Sequence, residues 1–101
     1  MTRQELKANI VSKLTSIERD NWGKGANRIQ DIAEQVLTSK DFDKYLRASN
    51  RDVNACDGCD FVVFNGQYFD WREFEYNSPI ILGAFLDYFT NTNLQKILEA
   101  M

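Results

Sequence analysis

The sequence predicts an α+β fold: an N-terminal three-helix unit, a central β-hairpin turning at Asn65-Gly66, and two C-terminal helices. Three observations carry this reading. Apolar residues recur at intervals of three and four through the first 48 residues, the pattern of helices with one buried face. Asn65-Gly66 lies between the apolar runs Phe61-Val62-Val63-Phe64 and Tyr68-Phe69, and a two-residue type I′ turn needs positive φ at both central positions, which Asn and Gly tolerate best. Ser78-Pro79 opens a second helical stretch, because Ser can cap and Pro at the first helical position gives up an N–H that has no partner there.

The first helix starts at Thr2-Arg3-Gln4-Glu5, a capping box in which Thr2 accepts from the backbone of Glu5 while Glu5 reaches back. Leu6, Ile10, Leu14 and Ile17 form one stripe, with Arg3, Lys7, Lys13, Glu18 and Arg19 toward water, so the spacing predicts a helix over 3–20. Asn21-Trp22-Gly23-Lys24-Gly25 breaks it, and Trp22 is bulky enough to fold under and plug the core. A second helix is expected from Asn27, with Ile29, Ile32, Ala33, Val36 and Leu37 as its stripe. Thr38 or Ser39 can cap a third over 40–48, turning Phe42, Tyr45 and Leu46 inward.

Residues 49–60 are polar and read as a loop leading into the hairpin. With its turn at Asn65-Gly66, the hairpin would pair Phe64 with Gln67, Val63 with Tyr68, Val62 with Phe69 and Phe61 with Asp70, leaving apolar side chains on both faces. Residues 72–76 alternate charged and aromatic residues like a short extra strand. Ile80 to Phe89 is apolar nearly all round, with Asp87 its one charge, and is expected to be central or at an interface; Gly83 within it implies a close packing approach. Thr92-Asn93-Leu94-Gln95 reads as a second capping box, starting a helix whose stripe is Leu94, Ile97, Leu98 and Met101. That terminal helix is expected to dock on the hairpin or pair with a second copy.

The chain has 101 residues, 44% hydrophobic and with one Pro, and shows no repeat or low-complexity run, so residues 1–101 are expected to form one folded domain. No apolar run approaches the roughly 18 residues of a membrane span and the polar start lacks a signal-peptide core, so a soluble, cytoplasmic protein is expected. The net charge of -3 hides an asymmetry. Residues 1–51 hold ten Lys/Arg against seven Asp/Glu, net +3, and residues 52–101 hold two against eight, net -6. An acidic half repels nucleic acid and attracts basic protein surfaces.

Catalytic motifs are missing from the sequence. With no His, a Ser or Cys nucleophile would lack its commonest base, and no cofactor is implied. Cys56-Asp57-Gly58-Cys59 is half of a tetrahedral metal site, but no other Cys or His can complete it; Cys56 and Cys59 are candidates only across a dimer, and two reduced thiols at the hairpin base is the favoured reading. The pair precedes a strand, the wrong context for thiol–disulfide exchange chemistry. Asp52 to Val63 fails as a calcium loop, because its fifth position is Cys and its twelfth is Val instead of a bidentate Glu.

Two surfaces stand out. Tyr68, Asp70, Trp71, Glu73, Phe74, Glu75 and Tyr76 combine aromatic anchors with acidic steering, as protein-binding surfaces do. Lys40, Lys44, Arg47 and Arg51 recur every three or four residues and form the one basic helical stripe, the candidate nucleic-acid contact. The preferred function is a non-enzymatic protein-binding module, an inhibitor, immunity-type or adaptor protein docking on a larger protein, one that itself handles nucleic acid being an option. The order of elements resembles a winged helix with a C-terminal dimerisation helix, which implies a DNA-binding regulator as the alternative. Against it, Leu37 and Asp43 stand where such a unit has Gly and an apolar residue, and no Lys or Arg lies between Cys56 and Trp71 to hold phosphates. A homodimer subunit is the third class, resting on the apolar Ile80 to Phe89 segment.

Overall fold

A computed structural model describes residues 1–55, 61–64, 66–70 and 78–101. Helix α1 covers Arg3–Lys13, capped as its sequence predicts: Glu5 N donates to Thr2 Oγ1 at 3.2 Å and Thr2 N donates to Glu5 Oε1 at 3.1 Å. It does not run on to residue 20. Thr15 and Glu18 form a second capping box, with Thr15 N donating to Glu18 Oε2 at 2.8 Å, and start the short α2, Ser16–Asp20. Because two caps in succession redirect the chain, Ile17 leaves the stripe of Leu6, Ile10 and Leu14 and is 62% exposed.

Helix α3 covers Trp22–Val36 and starts five residues ahead of Asn27, since the Asn21 side chain accepts from Lys24 N at 3.2 Å and caps it. The helix therefore passes through both Gly23 and Gly25. Gly25 has a tertiary reason: a Cβ there would lie 2.8 Å from the Glu18 carbonyl oxygen and 2.9 Å from a Leu82 methyl. Trp22 packs half-buried against the core. Helix α4 covers Ser39–Ala55, absorbing most of the expected loop; Thr38 Oγ1 accepts from Asp41 N at 3.2 Å at its start, and Ser49 Oγ donates to Leu46 O within it.

Strands β1, Phe61–Phe64, and β2, Gln67–Asp70, form an antiparallel ribbon pairing Phe61 with Asp70, Val62 with Phe69, Val63 with Tyr68 and Phe64 with Gln67. Gly66 between them has a φ of 81°, in the region favouring glycine. Helix α5, Ser78–Leu86, and α6, Asn91–Ala100, follow. Ser78 is the first helical residue of α5, and its hydroxyl donates to the Asp20 carbonyl at 2.9 Å, fastening α5 to the end of α2. The cap of α6 is Thr90, two residues before the expected Thr92, with Asn93 N donating to its Oγ1 at 3.2 Å.

The expected α+β class is corrected by this arrangement: the protein is mostly helical, and the two four-residue strands do not make a sheet layer. The helices have long apolar faces to bury against one another, whereas a two-stranded ribbon is too small to form a layer of its own. Nor is the N-terminal part a three-helix unit, since among the described residues four helices precede the ribbon. The core is built from Leu6, Ile10 and Leu14 of the α1 side, Ile29 and Ala33 of α3, the buried side of α5, and Leu94, Ile97 and Leu98 of α6. The apolar side of α6 faces α1 and α3, which corrects the expected docking on the hairpin or a second copy. Tyr45 brings α4 to this core by stacking on Phe89 at a ring-centroid distance of 4.5 Å and meeting Phe85 edge-on at 5.9 Å.

Candidate protein-binding surfaces

The ribbon divides its side chains by alternation. Phe69 is 4% exposed and Tyr68 is 72% exposed, so one face anchors β2 while the other holds a phenol ring in water. β1 packs against α4 and α5, which fixes the base from which Tyr68 projects. Asp70 pairs through its backbone with Phe61 at the end of the ribbon. Trp71, Glu73, Phe74, Glu75 and Tyr76 lie outside the described residues, as do Cys56 and Cys59. Among the described residues no group of three or more Cys, Asp or Glu is placed to hold a metal ion.

The basic stripe lies on α4, and Lys40, Lys44 and Arg47 are exposed. Arg47 Nε is 2.9 Å from Asp43 Oδ2, an i,i+4 pair with both side chains largely in water, so one of the three cations is neutralised locally. Arg51 is on the same helix. The helix also turns Asp41 toward α6, where it accepts from Asn93 Nδ2 at 3.4 Å.

Two features escape the sequence reading. Asp87, just past the end of α5, accepts from Arg3 Nε at 3.3 Å and from Lys7 Nζ at 2.8 Å, while Arg3 also donates to the carbonyls of Asp87 and Phe89 and to Asn91 Oδ1. Arg3 and Lys7 are thus not solvent-facing bystanders; they bind α1 to the α5–α6 turn. The other is a groove between α1 and α5, with a volume of about 590 Å³, broadly open to solvent and walled by Ala8, Val11, Pro79 and Gly83, with Lys7 and Arg19 at its edge. The one advance signal was Gly83, an unexplained glycine within an apolar helix.

Charge states follow local hydrogen bonding and burial. The Thr2 backbone N–H holds Glu5 below the usual glutamate value, with the Thr2 hydroxyl adding to it, and the Thr15 backbone N–H does the same for Glu18, with Arg28 beside it at 3.0 Å. Burial pushes the Tyr45 phenol up to about 12, and its hydroxyl donates to Gln30 Oε1 at 2.7 Å. Capping hydrogen bonds account for the shifts of Glu5 and Glu18, and burial for that of Tyr45.

Comparison with known proteins finds no matching family model, no similar curated protein and no similar solved structure. Among the described residues, no helix is long and apolar enough to cross a membrane.

Proposed function

We propose that the chain is a non-enzymatic protein-binding module that docks on a larger protein through its ribbon and the acidic second half. The observation that supports this best is Tyr68: 72% exposed beside a Phe69 that is 4% exposed, it is an aromatic anchor presented from a fixed base. An exposed tyrosine contributes large contact area with few torsions to immobilise, which is why Tyr is enriched where binding energy concentrates. The net charge of -6 over residues 52–101 would steer this half toward a basic target.

The test is affinity retention from the native host lysate on the wild-type chain and on Tyr68→Ala, each with and without nuclease. A stoichiometric protein that survives nuclease and is lost from Tyr68→Ala is the expected result. Retention of nucleic acid that disappears on Lys40→Glu with Lys44→Glu would instead install the DNA-binding reading, since phosphate contacts are lost with the cations that make them.

A further inference from the structure

We propose that the groove between α1 and α5 is a second docking site, independent of Tyr68, and that its occupant is an amphipathic helix of a partner protein with carboxylates flanking its apolar stripe. The ion pairs of Asp87 with Arg3 and Lys7 join the start of α1 to the end of α5, and the two helices are in contact. The groove between them is lined from Gln4 to Ser12 on α1 and by Pro79 and Gly83 on α5. With 11 residues in α1 and 9 in α5, that length suits a helix of about three turns, at about 1.5 Å rise per residue.

The floor is made for close approach. A Cβ built on Gly83 meets nothing within 4 Å, so among the described residues no neighbour requires a glycine there, although glycine is unfavourable in the middle of a helix. Ala8, Val11 and Pro79 line the groove with it and make its surface apolar. Ile80, three residues before Gly83 on the same side of α5, is 59% exposed. Small residues between larger apolar ones let two helix backbones come together while the larger side chains interdigitate.

The charges select the sign of the partner. Lys7, which lines the groove, shares the Asp87 carboxylate with Arg3. Arg19 donates to the carbonyls of Ser12 at 3.3 Å and Leu14 at 2.8 Å and has no carboxylate partner among the described residues. No acidic residue is among the described residues lining the groove. An apolar lining with Lys7 and Arg19 beside it and no described carboxylate within it fits an apolar stripe flanked by Glu or Asp, and it offers a continuous phosphate chain little beyond its edges.

The probe is a display library of helical peptides about three turns long, with stripe positions drawn from Leu, Ile, Phe and Ala and flanking positions drawn from Glu, Lys and Gln. It is screened against the full chain and, in parallel, against Gly83→Leu, which fills the floor from an open position. Selected clones are expected to carry Glu over Lys at the flanks and to bind Gly83→Leu at least about tenfold more weakly. They should also weaken with Arg19→Gln and bind Tyr68→Ala unchanged. Circular dichroism of each variant controls for folding, and Ala8→Phe repeats the test if Gly83→Leu fails that control. Selection of Lys-flanked clones would overturn the proposal, as would clones indifferent to Gly83→Leu and Ala8→Phe. A wild-type dimer in sedimentation that Gly83→Leu dissolves would overturn it too, because the groove would then belong to a second copy.

Discussion

Arg3 Nε lies 3.3 Å from Asp87 Oδ1, a contact between the first turn of the protein and a position 84 residues later. Lys7 Nζ completes it at 2.8 Å. The three side chains are between 24% and 35% exposed, so their attraction is less screened than that of a fully hydrated pair. Asp87→Ala should destabilise the fold by about 1–2 kcal/mol in urea unfolding, because two cations lose their partner at once. A double-mutant cycle between Lys7→Ala and Asp87→Ala should return a coupling of about 0.5–1 kcal/mol; a coupling of zero would mean the pair contributes nothing net.

Two glycines in helices should respond to alanine with opposite signs. At Gly83 the added methyl meets nothing within 4 Å, so Gly83→Ala should raise stability by about 0.5–1 kcal/mol through helix propensity alone. At Gly25 the methyl would be 2.8 Å from the Glu18 carbonyl oxygen, and since backbone cannot rotate away, Gly25→Ala should lower stability by about 1–3 kcal/mol. Thermal melts of the two variants check both signs.

Ser78 is 2% exposed and its hydroxyl donates to the Asp20 carbonyl, which joins α2 to α5. Ser78→Ala should cost about 1–2 kcal/mol, the range for withdrawing the partner of a polar group at such a junction. Amide hydrogen exchange should show the loss concentrated in α2 and the start of α5, whereas a change confined to the start of α5 would point to a capping loss alone.

Stability should fall at both ends of the pH scale. Glu5 and Glu18 are held below the usual value of 4.5, so the unfolded chain takes up protons first as pH drops. Their contribution is complete above 4.5 and is lost as pH falls through the lower folded values. Tyr45 is shifted the other way, from 10.0 to about 12. Above 10 the unfolded state gives up its phenolic proton before the folded state does, so this contribution is complete below 10 and lost as pH rises toward 12. Urea midpoints across pH should show both limbs, with Glu5→Gln and Glu18→Gln flattening the acid limb and Tyr45→Phe the alkaline one.

Local signals were legible where a few neighbouring residues decide the outcome. The capping box of Thr2 and Glu5, the stripe Leu6-Ile10-Leu14, and the inward Ile29, Ala33 and Tyr45 follow from spacing and side-chain chemistry. The same rules failed at Asn21 to Gly25, where two glycines and an Asn read as a break. They failed again after Ala48, where polar residues read as a loop and the structure continues α4 to Ala55. In the first case a helix tolerates Gly25 because Leu82 and Glu18 need the space; in the second, α4 continues through polar residues whose helix propensity is unfavourable only by roughly tenths of a kcal/mol each and does not break it. The candidate surfaces divide likewise: the exposed Tyr68 was among the residues named from sequence, and the groove at Gly83 appears only once α1 and α5 are in contact.

What the sequence by itself determined is therefore the set of amphipathic segments, the caps made within one turn, and the opposite charges of the two halves, all properties of residues a few positions apart. Tertiary structure decided the class, the break at Leu14, the pairing of Arg3 and Lys7 with Asp87, and the groove beside Gly83. Each of these depends on which faces meet: helices with long apolar stripes take the core from a four-residue ribbon, and a carboxylate finds cations 80 and 84 residues away only after those helices have packed.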